Sequence, residues 1–271
     1  MTILVTGGTG LVGARLLQRL AEAGIACRAL VRAGKPVPEG VQRIEGDILD
    51  AASLQQAVAG VSAIIHLAAV FRTSDEALIH RVNLDGTCNL IAAARAHAPQ
   101  ARFIMASTTN IYDKDSPHPG REDDAVAPTQ AYPASKLAAE NALRQSGLNW
   151  SIQRFGFVYG DQDGHLEALS GHAGSFGFHP AQRMSMVHHR DIATSMRLAL
   201  RGAFDGRTVN IVDDAPTTIH ELVAMVGEPM QASSAPLPDP WHLHADGALA
   251  RSLGFVPTIA TVHQAKRDGI L

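Results

Sequence analysis

The chain is short of cysteine: it has two in 271 residues, Cys27 and Cys88, and no C-x-x-C pair. A disulfide framework is thereby excluded. Both thiols sit in apolar patterns and are expected to be buried and free, in a reducing compartment. Charge of one sign is also lacking. Lys and Arg number 23 against 26 Asp and Glu, a net charge of −3, which leaves no electrostatic footprint for nucleic acid. No apolar run approaches the roughly 20 residues of a membrane span, so no membrane partner is expected. The first apolar run opens at Thr2, which leaves no room for a signal peptide, and the expected location is the cytoplasm. Thirteen histidines are present, but none stands in H-E-x-x-H or an equivalent spacing. His188 and His189 are adjacent and project differently, and His242 and His244 flank Leu243. His165, His172 and His179 fall in a stretch read as loop. No metal site is expected.

What the chain does have begins at once. Thr2-Ile3-Leu4-Val5 suits a buried parallel strand. Thr6-Gly7-Gly8-Thr9-Gly10-Leu11-Val12-Gly13 follows. Then Leu11 to Ala23 reads as a helix with Leu16, Leu17 and Leu20 on one face and Gly24 as its stop. Strand, glycine turn and helix make a phosphate cradle, because glycine lets an anion approach the backbone and the helix start offers free N–H groups. Gly7, Thr9, Gly10, Leu11 and Val12 are the candidate contacts. Taken alone, an ordinary strand-to-helix turn has the same signature.

Strands and helices then alternate. Strands are expected at 26–32, 42–45, 63–67, 102–107, 150–155 and 208–212. Helices are expected from a Ser53 cap to Val58, as one long helix from Glu76 to Ala98, from Tyr132 to Gln145, and from Ile219 to Val226. This alternation predicts an α/β fold, a Rossmann-type doubly wound parallel sheet with a small C-terminal substrate lobe. In such a sheet the ligand lies at the carboxyl ends of the strands. Residues 1–160 form the dinucleotide-binding domain in this reading, with 185–212 completing the sheet. Segments 161–184 and 213–271, which are poor in clear periodicity and carry the prolines from Pro229 to Pro240, form the lobe.

Tyr132-Pro133-Ala134-Ser135-Lys136 places a phenol and an ammonium four apart, on one helix face. A neighbouring positive charge favours the ionised phenol, so the pair suits acid/base work. Y-x-x-x-K alone also describes a surface helix pair. Ser107-Thr108-Thr109-Asn110-Ile111-Tyr112 stands at a strand end, where a hydroxyl can meet a substrate oxygen.

Together these segments resemble the extended branch of the short-chain dehydrogenase/reductase family, which includes sugar-nucleotide epimerases and dehydratases. Thr6 to Gly13 meets its T-G-x-x-G-x-x-G turn, and Gly46-Asp47-Ile48 its acidic residue after the third strand. His66-Leu67-Ala68-Ala69 meets H-x-A-A, and Asn83 to Leu90 looks like N-x-x-G-T-x-N-L. Arg154 to Gly160 matches R-x-x-x-x-Y-G, and Val187 to Ala193 resembles V-H-V-x-D-V-A. The resemblance implies Thr108, Tyr132 and Lys136 as catalytic residues. Hydride passes to or from nicotinamide, Tyr132 gives or takes the proton, and Lys136 keeps the tyrosine pKa low. It further implies cofactor contacts at Asp47, Ile48, Leu67, Ala68, Ala69, Ser107, Tyr132, Lys136, Phe155 and Val158, with Lys136 hydrogen-bonding the nicotinamide ribose. Asn83 is read as structural.

The second strand ends at Arg32 with no carboxylate there, and Arg28, Arg32, Lys35 and Arg43 outnumber Glu39. An arginine at that place suits a 2′-phosphate, which favours NADP over NAD. Thr109-Asn110 stands where the family's dehydratases carry Asp-Glu, so dehydration is not expected. What is left is a reductase or secondary-alcohol dehydrogenase acting on a small molecule. The alternative is an NAD-dependent nucleotide-sugar epimerase, and a third reading is a non-catalytic NADP-binding sensor. Substrate contacts are expected, by position, from Phe71, Arg72, Thr109 and Tyr159. Arg183 is either a substrate-phosphate ligand or a solvated cation. A homodimer is implied through the helices at 76–98 and 132–145.

Overall fold

The computed structural model describes residues 2–173, 177–227 and 230–271. Pro229 and positions 174–176 of the expected lobe therefore lie outside the described residues. In chain order the first half contains β1 (Thr2–Thr6), α1 (Leu11–Glu22), β2 (Ala26–Val31), β3 (Gln42–Glu45), α2 (Ala51–Val58) and β4 (Ala63–His66). Then come α3 (Glu76–His80), α4 (Gly86–His97), β5 (Arg102–Thr108), α5 (Ala131–Arg144) and β6 (Asn149–Phe155). The second half holds β7 (Phe157–Tyr159), α6 (His165–Ala173), β8 (Arg183–Met184), β9 (Met186–His188), α7 (His189–Leu200) and β10 (Arg207–Ile211). It ends with β11 (Thr217–Thr218), α8 (Ile219–Met225), α9 (Ala248–Ser252) and α10 (Val262–Arg267).

The main sheet has seven strands in the order β10-β6-β5-β4-β1-β2-β3. β1 runs parallel to β2 and β4, β2 to β3, and β4 to β5. Strand order therefore reverses beside β1, which is where such sheets bind ligands. Register brings the strand ends level: Thr6 pairs with Leu30 and His66, His66 with Met105, and Val31 with Glu45. Gly7, Arg32, Gly46 and Leu67 thus leave the sheet at one edge.

Contacts divide the chain into two compact units. The first comprises residues 1–107, 128–153 and 196–208. On one face of its strands, Leu4, Leu30, Ile64 and Phe103 pack with Leu54 and Val58 of α2, Leu90 and Ala94 of α4, and Ala139 and Leu143 of α5. Alternation turns Ile3 and Val5 to the other face, and α1 buries Leu16, Leu17 and Leu20. The second unit comprises 108–127, 154–195 and 209–271, so it includes the segments 161–184 and 213–271. Its core joins Tyr159, Leu166, Met184, Met186, Ile219, Leu222 and Val262.

Several local expectations are corrected. The cap of α2 is Asp50, whose Oδ1 accepts the Ala52 N–H at 3.1 Å. Ser53 sits one turn further in, and its hydroxyl is taken up by Asp47 and Asp50. The single helix expected over 76–98 is interrupted by a π-turn at Arg81–Asp85. His165 is not in a loop: it opens α6, with its ring stacked on Phe157 at 4.4 Å. Cys27 is buried, and burial pushes its thiol up to about 11. Cys88 is exposed on the outer face of α4, contrary to its apolar surroundings in sequence.

Candidate active site

The glycine turn is built for contact with backbone. Gly7 has φ 71°, and a Cβ there would stand 2.6 Å from the Ala68 nitrogen. A Cβ on Gly13 would stand 2.2 Å from the Gly7 carbonyl oxygen. Gly10, Thr9 and Leu11 are exposed, and Gly10 gives α1 no side-chain cap. The first N–H groups of α1 are therefore free to meet an anion.

A buried chain of hydrogen bonds ties this turn to β4. The Thr87 hydroxyl donates to the Asn83 carbonyl at 2.6 Å, so it accepts from His66 Nε2 at 2.9 Å. His66 Nδ1 is then the acceptor for the Thr6 hydroxyl at 2.7 Å. The Ala68 N–H closes the chain on Thr6 Oγ1 at 3.4 Å. Burial first, and then the charge of Lys136, lower the His66 pKa to about 3, so the ring is neutral. Thr6 and His66 thus fix the segment Leu67-Ala68-Ala69 against Gly7.

Asn83, inside the π-turn, holds the next segment. Its Oδ1 accepts the Val70 N–H at 2.7 Å, and its Nδ2 donates to the Val70 carbonyl at 2.9 Å and to Ser135 Oγ at 3.0 Å. Ser135 in turn donates to the Tyr132 carbonyl at 2.7 Å. One buried amide therefore locks the loop after β4 to the first turn of α5, which carries Tyr132 and Lys136. A π-turn placed here is in keeping with the use of such turns at functional sites.

Lys136 is buried, and desolvation lowers its pKa to about 8, with Glu140 opposing. Tyr132 moves the other way: burial pushes its phenol up to about 12. The expectation of a depressed phenol is thus corrected. Removal from water is the cause. Phe71 lies 5.5 Å from Tyr132 between ring centroids, and the Arg72 guanidinium lies over the Phe71 ring at 5.0 Å. Ser107 is buried, and among the described residues its hydroxyl has no hydrogen-bond partner. Asp47 is half-buried, and its Oδ1 accepts the Leu49 N–H at 2.9 Å. Ile48 is buried and leaves room only for Gly86 beside it. Arg32 and Lys35 are exposed at the end of β2. Lys35 and the prolines Pro36 and Pro38 line a cleft of about 350 Å³ with Gly8, Thr9 and Ala14.

The remaining candidates lie in the second unit. Thr108 Oγ1 accepts the Asn110 N–H at 3.1 Å, which leaves its own O–H to donate. Thr109 and Phe155 are buried, and the Val158 carbonyl accepts from His165 at 2.8 Å. Tyr159 was expected to border a substrate. Instead it is wholly buried in the core, edge-on to His188 at 5.1 Å, because its ring fills the space between β7 and α6. Arg183 is exposed on the short strand β8. Arg154, read as part of a cofactor-lining segment, is buried and donates to the Tyr112 hydroxyl at 3.0 Å. Tyr112 donates to Asn210 at 2.7 Å. Among the described residues no group of three metal-binding side chains occurs, and no helix is long and apolar enough to cross a membrane.

The residues present fit a dinucleotide: a cradle with no room for Cβ atoms, an uncapped helix start and the orphaned Ser107 hydroxyl all lie at the same sheet edge. Such a turn at the switch point, with Tyr132 and Lys136 one helical turn apart, defines an NAD(P)-dependent enzyme of the short-chain dehydrogenase/reductase type, an oxidoreductase or epimerase. The chain belongs to the NAD dependent epimerase/dehydratase family, whose pattern matches residues 3–212. It is similar to 4-hydroxy-2-methyl-3-oxo-4-farnesyl-3,4-dihydroquinoline-1-oxide ketoreductase of Stigmatella aurantiaca, 28% identical over 84% of this chain and 73% of that protein. It is also similar to 2-alkyl-3-oxoalkanoate reductase of Stenotrophomonas maltophilia, 38% identical over 61% of this chain and 53% of the relative. Among solved structures, a short-chain dehydrogenase/reductase superfamily protein from Agrobacterium tumefaciens with bound NAD superposes with a TM-score of 0.82. That pair is 25% identical, covering 99% of this chain and 95% of the other.

Proposed function

We propose that the protein is a cytoplasmic NADP-dependent reductase of a small-molecule ketone, with Tyr132 as the proton donor. The observation that carries this reading is the free positive charge at the end of β2. Arg32 is exposed at the end of β2 and Lys35 lines a cleft with Thr9, with no carboxylate at the tip, and Glu45, in register with Val31, is occupied by Arg43 at 2.8 Å. A guanidinium here suits the 2′-phosphate and works against the ribose hydroxyls alone. An exchangeable NADP cofactor belongs to one-way reduction. The names of the two relatives, a ketoreductase and a reductase, support the same direction.

When bound, the nicotinamide supplies the hydride. Tyr132 gives its phenolic proton to the carbonyl oxygen as the alcohol forms. Lys136, protonated below about 8, stabilises the phenolate left behind. Thr108, its oxygen already engaged by Asn110, keeps its hydroxyl proton for donation to a substrate oxygen. We assign dinucleotide binding to 1–160 with 185–212, and substrate binding to 161–184 and 213–271. A homodimer through α4 is supported by the exposed small residues Cys88, Ala92 and Ala96, spaced by one turn each.

Arg32→Ala tests the cofactor assignment. A charge-assisted hydrogen bond contributes about 1.5–3 kcal/mol, so the dissociation constant for NADPH is expected to rise about 10–100-fold. That for NADH is expected to stay near the wild-type value. Titration of each cofactor by nicotinamide fluorescence measures both. Equal losses for the two cofactors remove the 2′-phosphate role.

A further inference from the structure

Arg72 stands next to the candidate proton donor in a backbone conformation that long side chains rarely adopt, with φ 58°. Such outliers persist only where the surroundings hold them, and they gather at functional sites. Its guanidinium lies 5.0 Å from the centre of the Phe71 ring. That ring lies 5.5 Å from the Tyr132 ring at an angle of 42°. Phe71 is itself 45% exposed, an unusual place for a large apolar side chain. The phenol of Tyr132 therefore borders an open aromatic face that ends in a cation, all within one compact unit.

That cation is not engaged elsewhere. Among the described residues Arg72 has the Phe71 ring as its contact and no carboxylate or carbonyl partner. The next carboxylate along the chain, Asp75, caps α3 by accepting the Leu78 N–H at 2.9 Å. A guanidinium resting on a ring keeps its in-plane N–H donors free, and their fork matches two oxygens of one anion. A charge with a purely structural purpose would have a partner, and a purely solvated one needs no strained backbone.

We propose, on the carbonyl-reductase reading above, that Phe71 and Arg72 select an anionic substrate. Its ketone is presented to Tyr132, its alkyl body lies on Phe71, and its carboxylate or phosphate takes the N–H fork of Arg72. The two ring contacts set the scale. The anion is separated from the reacting carbonyl by a short aliphatic segment, not by a nucleotide.

The test uses the full chain with NADPH and three sets of ketones of matched chain length: 3-oxo acids, their neutral methyl esters, and keto alcohols phosphorylated at the terminal hydroxyl. Wild type is expected to prefer one anionic set over the esters by about 10–100-fold in kcat/KM, the worth of a charge-assisted hydrogen bond. The preferred anionic set identifies the head group as carboxylate or phosphate. Arg72→Ala is expected to abolish that preference, bringing kcat/KM for the anionic set down to the level of the esters. Arg72→Lys is expected to restore it in part, since an ammonium keeps the charge but not the fork. Equal use of both anionic sets and the esters by wild type, or an equal loss on all substrates in Arg72→Ala, overturns the anion selection and leaves the reductase reading standing. Failure of wild type to reduce any of the ketones with NADPH or NADH overturns the reductase reading and this inference with it.

Discussion

Replacing Tyr132 with phenylalanine is expected to lower kcat by about 10²–10⁴-fold, the range that a positioned general acid supplies. The substitution is clean in this fold. The Tyr132 carbonyl that receives Ser135 is backbone, and the ring contact with Phe71 survives in phenylalanine. Cofactor affinity and melting temperature should therefore be unchanged, and initial rates of NADPH oxidation with cofactor titrations measure the two sides. Unchanged turnover would take the phenol out of the mechanism. The same site sets a pH profile. Desolvation lowers Lys136 from the ordinary lysine value to about 8, so its charge is present below that pH and lost above it. Tyr132, pushed up to about 12, stays protonated across the same range. In wild type kcat/KM is expected to fall as pH rises through about 8.

Gly13→Ala carries the other large effect. In an ordinary helix the exchange stabilises by about 1 kcal/mol. Here the new methyl would lie 2.2 Å from the Gly7 carbonyl oxygen and 2.7 Å from Gly8 Cα. Those atoms are backbone and cannot swing aside. Overpacking of this kind costs about 1–3 kcal/mol, which for a chain of this size is a fall of about 2–12 °C in melting temperature. Gly7 also accepts the Gly10 N–H at 3.0 Å, so moving it deforms the anion cradle and dinucleotide affinity falls as well. Gly10→Ala is the control. Its Cβ meets only the Gly7 oxygen, at 3.4 Å, so the fold should hold while binding weakens. A Gly13→Ala protein with wild-type melting and affinity would contradict this packing.

Much of the frame was legible because its signals are local. Thr6 to Gly13 needs glycine for close approach, and the parallel strands read as short apolar runs. Tyr132 and Lys136 need only helical spacing to share a face. What stayed hidden depends on contacts distant in sequence. Thr6, His66 and Thr87 are separated by 60 and 21 residues, and only the folded strand ends bring them into one hydrogen-bond chain. The π-turn at Arg81–Asp85 has no breaker to mark it, since Asn83 imposes it by gripping Val70 and Ser135. Asp50 and Ser53 are both good caps by type, and the chain path after Ile48 decides for Asp50. Tyr159 was expected at the substrate by position, yet core packing claims it. The short helix α6 presents too few apolar turns, chiefly Leu166 and Leu169, to show a period.

Transfer of label tests the central claim most directly. The enzyme would be given NADPH carrying deuterium at the transferable C4 position, together with its ketone. A reductase delivers that deuterium to the carbinol carbon of the product, one atom for each NADPH oxidised. Product alcohol labelled in this way is the result expected of Tyr132 acting beside an exchangeable cofactor. Unlabelled, epimerised product formed with no net NADPH oxidation would contradict it, and would assign the site to an enzyme that returns its substrate's own hydrogen.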